Sequence, residues 1–129
     1  DGVFACGNVV HVHDLVDFVT LESRRAAAGA ARWLARPKRG RCIPLKAGDN
    51  VSYVVPQRIS VPAEEDVTLL LRVRRPLRKP EFILRSGEEQ VLRRVRPVAL
   101  PAEMVEIKVP AAAIPGAGEL EILCRGEKR

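Results

Sequence analysis

The sequence predicts a mainly-β protein, a small sandwich of short strands preceded by a strand–helix segment. Three observations lead there. From residue 51 onward, short apolar runs with period-two alternation recur between turn residues. Ten prolines and nine glycines interrupt the chain, which excludes a long coiled coil or an all-helical bundle. The 129 residues are 47% hydrophobic but only 4% aromatic, so one ordinary domain with a core of Val, Leu, Ile and Ala is within reach.

The first section, residues 1–36, opens with Gly2-Val3-Phe4-Ala5-Cys6, an apolar run closed by Gly7-Asn8, which reads as a buried strand and a turn. A helix follows from near Asp17 or Thr20. Leu21, Ala28, Ala31 and Leu34 or Ala35 lie at spacings compatible with one face of it, whereas Glu22, Arg24, Arg25 and Arg32 are expected in water. Gly29 lies inside the run Ala26–Ala31, where glycine costs about 1 kcal/mol relative to alanine; a close approach to another backbone or a flat ligand would be one reason to tolerate it. One strand and one helix cannot enclose a core, so this section reads as part of something larger.

Residues 37–50, with Pro37, Pro44, Gly48, Asp49 and Asn50, are expected to form a linker and lead-in loop. Residues 51–129 then read as a small immunoglobulin-like β-sandwich. Its strands are expected at Val51–Val55, at Arg58–Val61 as an edge, and at Val67–Val73 with Val67, Leu69, Leu71 and Val73 facing the core. Phe82–Arg85 and Gln90–Arg96 should form a hairpin around Ser86–Glu89, with further strands at Val105–Val109 and Leu120–Cys124.

Charge and cysteine content narrow the function classes. The formal net charge is +6, and residues 71–96 hold nine basic side chains against three acidic ones. If the strands carrying Arg72 and Arg74 and those carrying Arg94 and Arg96 are neighbours, a positive stripe results that suits an acidic protein partner. Nucleic acid is not indicated, because no aromatics are interleaved for base stacking. No run of 18 apolar residues exists, so no membrane partner is expected. Cys6, Cys42 and Cys124 are odd in number and widely spaced, which suits reduced thiols rather than a disulfide framework or zinc site. The opening residues carry no export signal, so a cytoplasmic location is expected, and the chain starts like the middle of a strand, as though cut from a longer one.

No catalytic constellation is complete. His11-Val12-His13-Asp14 gathers metal-ligand types, yet Asp14 should point away from the two histidines and no further ligand has suitable spacing; hydrogen bonding in a structured turn is the expected role, and no metal site is assigned. Asp17 is placed to cap the helix. Glu64, Glu65 and Asp66 read as a solvated loop. No Gly-rich phosphate loop occurs, since Gly116-Ala117-Gly118 lacks a following helix.

The run Gly2-Val3-Phe4-Ala5-Cys6-Gly7-Asn8, followed by Val9-Val10-His11-Val12-His13-Asp14-Leu15-Val16-Asp17-Phe18-Val19 and the small-residue helix, resembles the last FAD-contacting segment of FAD-dependent pyridine-nucleotide oxidoreductases of the thioredoxin-reductase-like class. The fuller phrase resembles a bacterial subgroup with an additional β-rich C-terminal domain. The resemblance implies that residues 1–36 are the C-terminal fragment of an FAD-binding α/β domain. Gly7 would make the tight turn beside the flavin. Asn8 stands where the family has an Asp that bonds a ribityl hydroxyl. The helix start at Val16 and Asp17 would bring backbone N–H groups to the pyrimidine side of the isoalloxazine. The resemblance further implies that FAD binds only in the full-length protein, whose remaining FAD- and NAD(P)-binding domains are the partners, and that this chain alone is non-catalytic. The alternative is a β-sandwich module docking an acidic partner through its basic surface.

Overall fold

The computed structural model describes residues 2–35 and 40–128, the latter without the side chain of Lys128, and divides the chain into two compact units, Asp1–Arg39 and Gly40–Arg129. Pro37, Lys38 and Arg39, expected to end the helix and open the connector, lie outside the described residues.

In the first unit, Gly7–Val9 makes a single 3-10 turn and α1 spans Val16–Ala35. The helix therefore begins slightly earlier than expected, and Asp17 stands inside its first turn rather than ahead of it. A carboxylate there favours the positive helix end through its charge. The strand expected over Gly2–Cys6 does not form. That run has no pairing partner among the described residues and is largely exposed, Val3 reaching 90%. It lies back along α1 instead: a Cβ added at Gly2 would come within 2.8 Å of the Trp33 ring, and one at Gly29 within 3.3 Å of the Phe4 ring. The group that approaches Gly29 is the Phe4 side chain rather than another backbone or a ligand.

The second unit is mainly β. Its strands are β1 (Arg41–Ala47), β2 (Val51–Val55), β3 (Arg58–Val61), β4 (Val67–Val73), β5 (Leu77–Ser86), β6 (Glu89–Val95), β7 (Val98–Ala99), β8 (Val105–Val109) and β9 (Leu120–Lys128). The larger sheet runs β3-β1-β9-β5-β6 with β7 also on β5, and the smaller runs β2-β4-β8. All described pairings are antiparallel except β1 with β9. Ile43, Leu45, Phe82, Leu84 and Ile122 of the larger sheet share one buried cluster with Val54, Leu69, Leu71 and Ile107 of the smaller. The alternation of β4 is met: Leu69, Leu71 and Val73 are buried while the residues between them are partly exposed. Each such aliphatic side chain contributes about 1.5–3 kcal/mol by leaving water.

One expectation is corrected here. The stretch 37–50, expected as linker and lead-in loop, contains β1, an interior strand of the larger sheet. Ile43 and Leu45 point into the core while Cys42, Pro44 and Lys46 are exposed. Strand alternation was present, but proline and basic neighbours resemble a connector.

Two local devices fix the sandwich. Asn50 occupies the left-handed region (φ 55) in the β1–β2 turn, a conformation its short amide tolerates. Its Nδ2 donates to the Arg75 carbonyl at 3.2 Å and its Oδ1 accepts the Arg75 N–H at 2.9 Å, joining that turn to the β4–β5 connection. In β5, register against β9 shifts between Arg78 and Glu81 around Lys79 (φ 43). Gly126 lies opposite, where a Cβ would come 2.9 Å from the Arg78 carbonyl oxygen and 3.0 Å from Pro80 Cα.

Candidate functional site

Polar groups occupy the buried centre of the first unit. Glu22 is the one buried residue of α1, and with His11 and Asn50 it completes the buried polar set among the described residues. The left-handed backbone of Gly7 (φ 73) turns its N–H toward the helix, where it donates to Glu22 Oε2 at 2.6 Å. The residues after the 3-10 turn bring both histidines to the same carboxylate. His11 Nε2 lies 2.6 Å from Oε1 and His13 Nε2 lies 2.9 Å from Oε2. The two rings meet edge to face, their centroids 4.4 Å apart and their planes at 66°.

One carboxylate thus gathers three neighbours from the turn and the following loop. Burial works to raise the Glu22 pKa and is the largest single influence. Hydrogen bonds from His13, the Gly7 N–H and His11, joined by the His11 charge, outweigh it and hold the carboxyl below its ordinary value. The anion ties the turn to the second turn of α1 and sets where the helix start stands relative to Gly7.

The expected hydrogen-bonding role of His11 and His13 is therefore present, but the partner is a residue assigned to water. Helical periodicity places a charged side chain outside, and only the loop nine to eleven residues upstream reveals why Glu22 turns in. Its carboxylate also adds a third potential ligand atom beside the two imidazoles, all within 4.8 Å of one another.

The residues implied by the family resemblance fall around this clamp. Gly7 is buried at the turn, whereas Asn8, Val16 and Asp17 are exposed. Val9 (82% exposed), Val12, Leu15 and Val16, in and before the first turn of α1, are exposed as well. Cys6 is half-buried and lies outside the cluster.

In the second unit the basic residues do not assemble as one two-strand stripe. Arg72 and Arg74 lie on or beside β4 in the smaller sheet, while Arg94 lies on β6 at the edge of the larger. Several are engaged locally. Arg72 donates to Tyr53 Oη and to the Ala102 carbonyl, Arg74 to the Val51 carbonyl, and Arg96 to the Glu106 carbonyl. Arg93 pairs with Glu81, whose carboxyl that hydrogen bond holds below its ordinary value. Glu64, Glu65 and Asp66 are exposed, and Asp66 accepts the Ala111 N–H at 3.0 Å. A shallow depression is lined by Asp49, Asn50, Arg75, Leu77 and Cys124, with the Cys124 thiol pushed up to about 11, chiefly by burial. A thiol so protonated is a core group rather than a nucleophile.

No helix among the described residues is long and apolar enough to cross a membrane. Comparison with known protein families, characterised proteins and solved structures finds no match for this chain.

Proposed function

We propose that residues 2–35 are the flavin-facing segment of an FAD- and NAD(P)-linked oxidoreductase, non-catalytic by itself, and that the β unit is an additional domain of the same protein. The observation that carries this reading is an ordered but uncovered surface. The Glu22 clamp holds the Gly7 turn and the start of α1 in a defined relation, while Val9, Val12, Leu15 and Val16 remain exposed around them. Apolar side chains held in place beside an open helix start suit a wall of a pocket whose other walls come from elsewhere.

The chain's own groups fit the assigned part. The helix start offers backbone N–H groups and the positive end of the helix dipole, which favour electron density on a facing ring. Asn8 is exposed and has both an acceptor and donors for a sugar hydroxyl, although it lacks the charge of an aspartate. When bound, the flavin supplies the hydride chemistry; these residues bind, orient and tune it.

The test is to express the reading frame with its upstream coding sequence and to measure bound flavin beside that of the 129-residue chain. The longer protein is expected to hold FAD stoichiometrically and the shorter one not to. In the longer protein Val16→Glu should weaken retention by setting an anion at the helix start. A longer product devoid of flavin, or tight stoichiometric binding by the short chain, would refute the assignment.

A further inference from the structure

We propose that His11, His13 and Glu22 form a binding site for one borderline divalent transition-metal cation, of the zinc and ferrous-iron class. The inference is independent of the flavin reading, because it concerns the imidazole–carboxylate cluster alone.

The donor set selects the cation. Two imidazole nitrogens and one carboxylate suit zinc or ferrous iron; magnesium and calcium favour oxygen-only shells, and no thiolate is present to attract a softer ion. The spacing agrees. Ligand bonds of about 2.0–2.2 Å to a common centre place the donors roughly 3–3.5 Å apart. Here the imidazole nitrogens lie 2.6 and 2.9 Å from the carboxylate oxygens, so a cation could enter after an expansion of some tenths of an ångström. Both rings present the same atom, Nε2, to the one carboxylate, His11 at Oε1 and His13 at Oε2, and the Gly7 N–H on Oε2 orients that carboxylate as an outer-shell partner does.

The placement is a second, independent indication. In a unit whose Val3, Val9, Val12 and Leu15 are exposed, the side chains of His11, His13 and Glu22 are withdrawn from water, both imidazoles at 2% exposure and the carboxylate side chain at 10%. A segment with so little apolar core gains more from a metal staple than a large domain does. Binding replaces two N–H···O contacts by coordinate bonds. Each neutral imidazole keeps one proton, moved through solvent from Nε2 to Nδ1, and the freed Nε2 lone pair faces the cation; an imidazolium would release one proton. The carboxylate stays anionic. Three protein ligands leave at least one position for water or another donor.

The chain has two histidines, so the assignment is unambiguous by NMR. Metal-free 129-residue protein is titrated near neutral pH with zinc, following the ring resonances, and with cobalt(II), following its visible absorption. One equivalent of zinc should shift both imidazoles together, and cobalt should give ligand-field bands without thiolate charge transfer. His13→Asn, which keeps a polar group at the position of a ring that is 2% exposed, should lower affinity by at least the roughly 10- to 100-fold that loss of an outer-shell partner costs, with the helical circular dichroism signal retained. Glu22→Gln should do likewise, but it also disturbs the turn, so the unmutated titration and His13→Asn carry the decision. Absence of binding at millimolar metal, a shift in one imidazole only, thiolate bands, or undiminished affinity in His13→Asn would each overturn the proposal.

Discussion

Replacing Glu22 by Gln tests whether one carboxylate organises the first unit. The change keeps size and shape but removes the charge and turns one acceptor oxygen into a donor. Three contacts are affected: the Gly7 N–H and His11 Nε2, each at 2.6 Å, and His13 Nε2 at 2.9 Å. Whichever way the amide sits, its NH2 faces a group that donates to the native carboxylate. Hydrogen bonds to a charged group are about twice as strong as neutral ones, a difference near 1 kcal/mol each, so the loss should be about 2–4 kcal/mol. At 1.4 kcal/mol per decade, amide exchange at Gly7 should accelerate by about 30- to 700-fold. Exchange measured residue by residue supplies its own control in the β4 and β8 amides, which should not change. Acid should act in the same direction. Because the folded Glu22 pKa lies below its ordinary value of 4.5, its stabilisation is complete above that value and is lost as pH falls through the lower folded value. Unchanged Gly7 exchange in the variant would refute the clamp, and an equal loss across β4 would assign Glu22 a global role instead.

Two further outcomes follow from the second unit. Leu69→Ala empties a fully buried position opposite Ile107 and should cost about 2–5 kcal/mol, read in urea unfolding as a lower midpoint with little change in slope. Thiol labelling should rank the cysteines by exposure and ionisation: Cys42 reacts readily, whereas Cys124, raised to about 11, reacts only after unfolding, as mass spectrometry of timed alkylation would show.

Much of the sandwich was legible because strands declare themselves by alternation. In β4 and β8 every second residue is aliphatic, and those residues, Val67 apart, are the buried ones. β1 carries the same signal at Ile43 and Leu45, but Pro44 and the basic run before it carry an opposite message, and position in the sheet decided between them. The opening run Gly2–Cys6 failed in the reverse sense. Apolarity is necessary for a buried strand, yet a strand also needs pairing partners, and here Phe4 meets Gly29 of α1 instead. Glu22 was hidden for a third reason. A buried carboxylate is permitted only by donors that reach it, and those donors sit in a loop whose path depends on the Gly7 turn. Two histidines two apart and an acid on the next helix were the available signal, separated by nine to eleven residues.

The contrast between Asn50 and Glu22 locates the chemistry. Both are polar and buried, so both must be matched by partners. Asn50 is neutral, and its amide bonds the two backbone groups of Arg75 and reaches the Cys124 thiol, so that it holds two connections together. Glu22 keeps a charge away from water, which is costly, and draws two ionisable rings to it. A backbone turn of the Gly7 kind could be held by an Asn at far less cost, as the sandwich itself demonstrates. The extra expense of a buried anion with two imidazoles is justified where charge is used, whether to fix a helix start against a redox ring or to hold a cation. Both readings place the functional burden on residues 2–35 rather than on the sandwich.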